Sequence, residues 1–484
     1  MKRDRRNSCL KATGVLITLT ALVVQRIGHR PPKSVIKVQF LARAHIKTFT
    51  MKDTAIAALN KQEEKKQREY INLIASENYV SRDVREAISS VAINKYSEGY
   101  PGKRYYPGNE FVDQMEELAK KRALKLFGLN EDEWHVNVQP YSGSPANLAA
   151  YYGVAKFLQT KQYLNAPLRE VIAKIVYESM RLDQGGHLTH GHPVSFTGDL
   201  FNFVHYGVTP DGLLNYAGVA RIAENSHPAL IICGATAYPR IIDFKIFSEI
   251  AKSNHSLLMA DIAHIAGLVA AKEHPSPFPY CDIVTTTTHK TLRGPRGAMI
   301  FTRKGITAYS TQKQKMEELY EFMDRAVFPG LQGGPHDNQT MALAVALAEE
   351  LTPAFKTYQK QVVKNAKTLA DGLMKYGFTL MTEGTDNHLI LIDLRNKNIS
   401  GADAEKLLYT AGIIANRNAI PNDPAPPFRP SGIRIGTPAI TTRGAKEKEM
   451  KLIAALINEV LTNPASTGAV KKKVLAITKK LKNI

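Results

Sequence analysis

Cysteine is scarce in this sequence, with Cys9, Cys233 and Cys281 the three among 484 residues. Their number is odd and no two have the spacing of zinc ligands, so we expect no disulfide framework and no metal site, which fits a reducing compartment. Internal repeats and long disordered linkers are also missing. The 44% hydrophobic and 22% charged residues are typical of a soluble globular protein of two or three domains.

No helix-turn-helix, RRM-type or zinc-finger pattern accompanies the net charge of +20. Residues 1–50 hold eleven Lys or Arg and one acid, a net +10, and the other +10 is spread over the rest. We expect the lysines near the C-terminus to form a solvated helix face: Lys471, Lys472, Lys473, Lys479, Lys480 and Lys482. We therefore predict no nucleic-acid partner. The alternative that the charge leaves open is a basic RNA-binding or membrane-anchored protein with a decayed enzyme core.

The first fifty residues allow three interpretations. A basic start precedes the apolar run Gly14–Val24, which resembles a signal-peptide core but lacks a nearby A-x-A cleavage site and is too short to span a bilayer. The segment is also rich in arginine and poor in acids, as organellar presequences are. Thirdly, translation could start at Met51. We expect residues 1–50 to be a targeting segment or a start-site artefact on a cytoplasmic protein without a membrane partner, with organellar import if the segment is real.

The middle of the chain predicts an α/β doubly wound domain. Residues 53–70 predict a polar helix, and from about 135 to 300 β-branched runs alternate with helical stretches such as Pro145–Leu158 and Phe244–Ser253. Nearly continuous apolar runs suit strands buried on both faces of a parallel sheet. The predicted strands are His135–Gln139, Ala229–Cys233, Ser256–Ala260 and Asp282–Thr286.

After about residue 340 the pattern predicts a smaller α+β domain. Its predicted helices are Met341–Glu350, Tyr358–Tyr376 and a closing Lys446–Leu461. Its predicted strands are His388–Leu394, Gly412–Ala415 and Gly432–Ile435. The proline-rich stretch Pro421–Pro430 must be a loop.

Three features in the larger domain point to chemistry. Asp261 follows a buried strand, where ligands bind in open α/β sheets, although alone it also suits a helix N-cap. Lys290 follows another strand, where desolvation would make a nucleophilic amine; alone it is equally a surface loop residue. The run Gln139–Asn147 ends a strand in a Ser-Gly-Ser turn before Pro145, which suits a phosphate at a helix N-terminus or an ordinary serine cap.

Together these features are what pyridoxal 5'-phosphate (PLP) requires. The turn would hold the phosphate and Lys290 would bind the aldehyde covalently. Asp261 would keep the pyridine nitrogen protonated, so that the ring can accept electrons from the α-carbon of a bound amino acid.

The motifs around these residues resemble the serine hydroxymethyltransferase family. They occur in that family's order from about residue 53 to the C-terminus. They are LIASENYVS (Leu73–Ser81), NKYSEGYPGKRYY (Asn94–Tyr106), GGHLTHG (Gly185–Gly191), DIAHIAGLVAA (Asp261–Ala271), VTTTTHKT (Val284–Thr291), QGGP (Gln332–Pro335) and SGIRIGTPAIT (Ser431–Thr441). The resemblance implies the fold-type I, aspartate aminotransferase-like architecture, with a large mixed-sheet domain and a smaller C-terminal α+β domain.

It also implies a division of the chain and a partner. Residues 51–100 would be an N-terminal arm that contributes to dimer and active site, 101–340 the large PLP-binding domain and 341–484 the small domain. The active site would be shared between the subunits of a homodimer, which could assemble further into a tetramer.

Carried over to this sequence, the resemblance assigns residue roles. Lys290 binds PLP covalently, Asp261 faces the pyridine nitrogen and His187 stacks on the ring. His264 and Thr236 lie near the phenolic oxygen, and Arg434 and Ser76 hold the substrate. The phosphate contacts are Ser142, Gly143, Ser144 and His289 and, from the neighbouring subunit, Gly333 and Gly334. That subunit also supplies Tyr96 for the substrate and Glu98 and Tyr106 for proton handling. The folate positions are Tyr105, Leu182, Gly186, Leu188 and Asn418.

The implied reaction is reversible transfer of the serine hydroxymethyl carbon to tetrahydrofolate, which gives glycine and 5,10-methylenetetrahydrofolate. The alternative is a folate-independent PLP aldolase or racemase of the threonine aldolase or alanine racemase type; Glu98, Tyr105 and Asn418 favour the transferase. Two departures from the family pattern stand out. Thr236 replaces the usual serine, and Phe157–Met180 is longer than and unlike the usual segment beside the expected folate pocket.

Overall fold

The computed structural model describes residues 52–162, 166–311 and 313–483, with the side chain of Gln162 left out. The predictions for residues 1–50, including the run Gly14–Val24 and the start at Met51, lie outside this range. From Lys65 onward the chain forms one compact unit. None of the helices in the described ranges combines the length and the apolar character needed to cross a membrane.

The described chain begins with helix α1 (Thr54–Glu69), as predicted. The Asp53 carboxylate accepts hydrogen bonds from the backbone N–H groups of Ala55 and Ile56, each at 3.0 Å, which caps this helix. Short elements follow: strand β1 (Ile71–Asn72), helix α2 (Arg82–Ile88) and the hairpin β2 (Gly99–Tyr100) and β3 (Lys103–Arg104). Helix α3 (Glu110–Phe127) ends at Gly128, whose φ of 70° is the left-handed conformation that glycine favours.

A seven-stranded mixed sheet forms the centre of the larger part. In spatial order its strands are β4 (Trp134–Asn137), β10 (Ala298–Arg303), β9 (Ile283–Thr287), β8 (Leu257–Asp261), β7 (Leu230–Cys233), β5 (Val176–Met180) and β6 (Asn202–Tyr206). Strands β9, β8, β7, β5 and β6 are parallel, while β10 is antiparallel to both of its neighbours. The four predicted strands are confirmed to within a residue or two at each end. Strands β5, β6 and β10 were not predicted.

Helices cover both faces of this sheet, as in the predicted α/β doubly wound domain. One apolar core joins it to α3, α7 (Tyr216–Ser226), α8 (Phe244–Ser253), α9 (Ala266–Ala271) and α11 (Asp337–Glu350). The other joins it to α4 (Gly143–Gln162), α5 (Leu168–Lys174) and α10 (Leu319–Arg325). A short helix, α6 (Phe196–Leu200), and the hairpin β11 (Thr307–Ser310) and β12 (Lys315–Glu318) complete this part.

The C-terminal part has its own four-stranded antiparallel sheet and its own core. The spatial order of its strands is β13 (Thr379–Leu380), β14 (Leu389–Asp393), β17 (Gly432–Gly436) and β16 (Asn416–Asn418). Its helices are α12 (Pro353–Lys375), α13 (Gly401–Thr410), α14 (Pro438–Thr442), α15 (Glu447–Thr462) and α16 (Thr467–Thr478). The predicted strand Gly412–Ala415 is present as β15 (Ile413–Ile414), which pairs in parallel with β1 and lies outside this sheet.

Arg443 links the two ends of this compact unit. Although 1% exposed, its guanidinium forms five hydrogen bonds, all to main-chain oxygens. The acceptors lie at the C-terminal ends of α1 and α16 and just beyond, where helix carbonyls carry partial negative charge. They belong to Gln67, Arg68, Tyr70, Thr478 and Lys482. Within the described residues this buried arginine is therefore satisfied by main-chain oxygens, without a carboxylate partner.

Candidate active site

Three strand ends bring the predicted chemistry to one edge of the large sheet. Strand β8 ends at Asp261, which is paired in register with Thr285 of β9. Lys290 follows β9 by three residues. Strand β4 ends at Asn137 and the chain turns through Ser142 into α4. Parallel strands end at the same sheet edge, so the alternating pattern placed the acid, the lysine and the phosphate turn together.

Asp261 is held as a carboxylate by three neighbours. Its Oδ2 accepts a hydrogen bond of 2.9 Å from the Asn147 amide and lies 3.3 Å from Nε2 of His190. Its Oδ1 accepts a hydrogen bond of 2.9 Å from the backbone N–H of Ala263. Burial acts to raise the pKa of Asp261, but His190, His187 and Lys290 together hold it well below its usual range. The site therefore contains a fixed negative charge that can stabilise a protonated ring nitrogen.

His187 stands beside this carboxylate. Its Nδ1 is 2.6 Å from the hydroxyl of Thr189, and its ring centre is 5.3 Å from that of His190. Burial, with His190, lowers the pKa of His187 to about 4, so the ring is neutral at physiological pH. Nitrogens of the two histidines and an oxygen of Asp261 lie within 4.8 Å of one another. Such a group could hold a metal ion, and the absence of a metal stays a prediction.

Lys290 is a buried amine, with 8% of the residue exposed. Burial lowers its pKa to about 8, with Asp261 acting in the opposite direction and Arg434 in the same one. Its backbone carbonyl accepts hydrogen bonds from Asn78 Nδ2 at 2.9 Å and from the Arg293 N–H at 3.1 Å. A lysine with a lowered pKa is the nucleophile that a PLP aldehyde needs.

The turn at the start of α4 has the shape of a phosphate site. A side chain at Gly143 would place its Cβ 2.7 Å from Cγ2 of Thr287, so the position excludes larger residues. Ser142 and Ser144 flank it at the positive end of a 20-residue helix. The buried Nδ1 of His289 has no hydrogen-bond partner within the described residues, and burial lowers the pKa of His289 to about 3. This unsatisfied ring nitrogen, two residues beyond the Thr287 that contacts Gly143, fits a phosphate oxygen.

Arg434 is the second buried cation of the site, 7% exposed on β17. Its Nη1 donates to the main-chain oxygen of Thr236 at 2.8 Å, and its Nε and Nη2 donate to Asn416 Oδ1, each at 3.2 Å. Burial lowers the pKa of Arg434 to about 10. The neutral acceptors aim the guanidinium without neutralising it. Its charge is therefore available to a ligand carboxylate.

Thr236 contacts Arg434 through its main-chain oxygen, and His264 contacts Thr291, the residue after Lys290. The Thr236 N–H donates to the carbonyl of Gly185 at 2.8 Å, which fixes the loop after β7 against the loop after β5. The His264 ring stacks on His388, with ring centres 5.6 Å apart, and burial holds the pKa of His264 well below its usual range. The carbonyl of His264 accepts from the hydroxyl of Thr291, next to Lys290, at 3.0 Å.

Ser76 approaches the same region through the strand that precedes it. The Gly436 N–H donates to the carbonyl of Leu73 at 2.7 Å. A Cβ at Gly436 would lie only 2.6 Å from Cα of Ala75. This close packing brings Ser76 to the end of β17, two residues beyond Arg434.

A second group of predicted residues clusters at an exposed surface next to Tyr141, whose hydroxyl donates to the carbonyl of Gly334 at 2.7 Å. The Tyr96 hydroxyl donates to Oε1 of Glu98 at 3.3 Å, and the rings of Tyr96 and Tyr106 are 5.3 Å apart. Cβ atoms built on Gly333 and Gly334 would lie 3.4 and 3.8 Å from the Glu98 side chain. The three tyrosines of the group are 60%, 70% and 45% exposed: Tyr96, Tyr105 and Tyr106.

The folate positions divide between these two regions. Leu182, Gly186 and Leu188 lie on the loop after β5, where a Cβ at Gly186 would be 2.2 Å from the carbonyl of Met180. Asn418 ends β16, and Gln184 joins the two segments by donating to Asn422 Oδ1 at 3.1 Å. The Tyr105 ring instead contacts Phe328, with ring centres 5.6 Å apart, in the exposed group.

Three residues that position the site were not predicted from sequence. Asn147 contacts Asp261, Thr189 and the Thr285 hydroxyl with one side-chain amide. His190 lies beside Asp261, and Asn416 holds Arg434. Asn147 and His190 lie within the motifs Gln139–Asn147 and GGHLTHG, and that position was the signal available in the sequence. Asn416 carried no signal.

Comparison with known proteins agrees with this geometry. The sequence model of the serine hydroxymethyltransferase family matches residues 49–457. A serine hydroxymethyltransferase of Desulforapulum autotrophicum is 51% identical over 426 residues, which cover 88% of this chain and 94% of the relative. That of Desulfotalea psychrophila is 51% identical over 411 residues, which cover 85% and 89%. The chain belongs to the serine hydroxymethyltransferase family of fold-type I PLP enzymes.

Proposed function

We propose that the residues gathered at the sheet edge carry the family's reaction in the roles given below. That reaction is the reversible transfer of the serine hydroxymethyl carbon to tetrahydrofolate, with PLP as cofactor, and it gives glycine and 5,10-methylenetetrahydrofolate. The observation that carries the assignment is the pair of buried cations Lys290 and Arg434 beside the carboxylate of Asp261, with no ion pair to either cation among the described residues.

PLP would be held at five points. Lys290 binds its aldehyde carbon, and Asp261 holds the proton on its ring nitrogen. His187, neutral at physiological pH, would pack on one face of the ring, while Thr236 and His264 would lie by its phenolic oxygen. The phosphate fits the turn of Ser142, Gly143 and Ser144 and the free nitrogen of His289. Bound there, PLP supplies an electron sink for the bond that breaks at the amino acid α-carbon.

Arg434 holds the substrate carboxylate, and Ser76 approaches from the other side. The planar guanidinium can form two parallel hydrogen bonds to a carboxylate, and such charged bonds contribute about 1.5–3 kcal/mol each in a buried site. Because Asn416 and Thr236 already fix its orientation, little side-chain entropy is lost when the substrate binds.

We propose a homodimer in which each chain lends the exposed group to its partner's site. The residues of this group lie together on this chain: Tyr96, Glu98, Tyr106, Gly333 and Gly334. We expect such grouping of residues that enter the same site of the partner subunit. Tyrosine rings exposed by 45–70% on one surface are typical of an interface. In this arrangement Glu98 and Tyr106 move protons at the substrate hydroxyl and the folate nitrogen. Further assembly of dimers into a tetramer is also open.

The folate would bind between the loop carrying Leu182, Gly186 and Leu188 and the end of β16 at Asn418. The Gln184 to Asn422 hydrogen bond keeps these two walls together. Tyr105, on the exposed group, would close the pocket from the partner.

We further propose the cytoplasm as the location and the division 51–100, 101–340 and 341–484 as the functional parts. The buried, free thiols of Cys233 and Cys281 suit a reducing compartment. N-terminal sequencing of the native protein would decide whether residues 1–50 are retained, and retention with import into an organelle would contradict the cytoplasmic placement.

Two experiments test the roles. Lys290→Ala should abolish the visible absorbance of bound PLP, and an unchanged spectrum would refute the assignment of the lysine. With glycine bound to the wild-type holoenzyme, added tetrahydrofolate should raise the visible absorbance. No rise would favour the folate-independent aldolase or racemase.

Subunit mixing tests the shared site. Lys290→Ala and Glu98→Gln chains should each be inactive, while refolded mixtures should recover roughly a quarter of the wild-type sites, because a mixed dimer has one intact site of two. If no activity is recovered, the proposal that Glu98 acts in the active site of the partner subunit is contradicted.

A further inference from the structure

We propose that Asn78 is a positioning residue for Lys290: its side-chain amide fixes the main chain at Lys290 and with it the place of the reactive amine. This inference rests on the role of Lys290 proposed above. Asn78 lies on the segment between β1 and α2, 212 residues away in sequence.

Every hydrogen-bonding position of the Asn78 amide is used. Its Nδ2 donates to the carbonyl of Lys290 at 2.9 Å and to the hydroxyl of Tyr358 at 2.8 Å. Its Oδ1 accepts from the hydroxyl of Thr442 at 2.7 Å and from the N–H of Tyr79 at 2.9 Å. Two of these partners decide which atom is nitrogen, because a carbonyl can only accept and a backbone N–H can only donate. The amide therefore has one orientation.

The partners of Asn78 are themselves fixed. The Tyr358 hydroxyl, on α12, donates to the carbonyl of Pro438 at 3.1 Å, at the start of α14. Thr442 closes α14. Asn78 thus connects the C-terminal helices to the chain just beyond β9.

The neighbours Thr288 and Thr291 have hydrogen bonds of their own, but the Lys290 carbonyl itself has few restraints besides Asn78. It receives one further bond, from the Arg293 N–H at 3.1 Å, within a turn in which Arg293 has a φ of 65°. A left-handed arginine is strained, so the turn gains from an outside support. The amine forms no ion pair in the described part of the chain. Its position is therefore set by the backbone, which Asn78 holds.

The test measures how fast an amino acid displaces Lys290 from the cofactor. Wild-type and variant holoenzymes are mixed with increasing glycine in a stopped-flow instrument, and the visible absorbance of the cofactor gives the rate. Asn78→Asp keeps the acceptor for Thr442 and Tyr79 but cannot donate to Lys290. Asn78→Ala is a second variant in case the new carboxylate prevents folding.

Loss of one support should lower the saturating rate roughly three- to tenfold, the effect of one hydrogen bond. The half-saturating glycine concentration should stay unchanged, because Arg434 binds the carboxylate. The matched control Thr442→Val removes another bond to the same amide but keeps the donor to Lys290. It should behave as wild type.

Three results would overturn the inference or what it rests on. If Thr442→Val slows displacement as much as Asn78→Asp or Asn78→Ala, Asn78 has a general structural role. If the Asn78 variants match wild type, or change only the half-saturating concentration, positioning is refuted while the proposed function stands. A wild-type protein that binds no PLP would refute the proposed function itself.

Discussion

Replacing Glu178 by glutamine is expected to stabilise the protein, by an amount that grows with pH. Glu178 lies in β5, between β6 and β7, and is 0% exposed. Both of its carboxylate oxygens lack a hydrogen-bond partner among the described residues. By strand alternation it shares a face with Met180, in the apolar core beneath α7 and α8. Burial raises the pKa of Glu178 to about 8.

The sign and size follow from linkage. In the folded protein the carboxyl keeps its proton up to about pH 8, whereas the unfolded chain ionises above the ordinary value of 4.5. Stability is fully present below the unfolded pKa, is lost as pH rises between the two values and is constant above the folded one. At about 1.36 kcal/mol per pKa unit, Glu178 destabilises the protein by about 3 kcal/mol at neutral pH. A domain is typically stable by only about 5–15 kcal/mol.

Urea unfolding of the two holoenzymes, followed by circular dichroism, checks this. The stability gain of Glu178→Gln over wild type should increase by about 3 kcal/mol between about pH 5 and pH 7.5. Glu170→Gln, at an exposed position of α5, removes the same charge and should show no such increase. A gain for Glu178→Gln that is the same at every pH would refute the reasoning, since a group with one pKa in both states cannot produce the slope.

Three further changes should have distinct effects. Arg434→Lys should weaken glycine binding roughly 10- to 100-fold, measured by absorbance titration, because an ammonium cannot form the paired bonds; equal affinity would contradict the carboxylate assignment. Gly143→Ala should weaken PLP binding about tenfold in equilibrium dialysis, because the new Cβ would lie only 2.7 Å from Thr287. Unchanged binding would contradict the assignment of this turn to the phosphate. Arg443→Met should lower the free energy of unfolding, measured with urea, by about 2–4 kcal/mol, because five carbonyls lose their donor. The glycine affinity of the folded enzyme should stay the same. An unchanged free energy of unfolding would show that water replaces the guanidinium.

The sequence predicted the placement of Asp261 and Lys290 because strands have a strong local signal. Short β-branched runs indicate where a strand ends, and parallel neighbours end at the same edge. The same logic failed for β5, whose run contains the acid Glu178. A charged residue in a strand normally indicates a solvent-facing position, and no local pattern shows that this one is buried.

Residues whose role depends on contacts distant in sequence could not be predicted. Asn147 looks like any helical residue near an N-terminus, and its contact with Asp261 spans 114 positions. In the sequence Arg443 looks like a surface arginine, and its acceptors come together only when α1 and α16 end beside it in the fold. The reversal of β10 likewise depends on how its neighbours pair, since its apolar run fits either direction.

The two buried cations explain why this edge suits a PLP enzyme. Lys290 with a pKa of about 8 is roughly one-tenth uncharged at pH 7, against less than a thousandth for an ordinary lysine. Burial is the main cause and the charge of Arg434 adds to it, opposed by Asp261. A buried cation without a carboxylate partner is costly, so the folded site favours anionic ligands. The phosphate of the cofactor and the carboxylate of serine would relieve that cost, and the burial that favours these anions also makes the amine reactive.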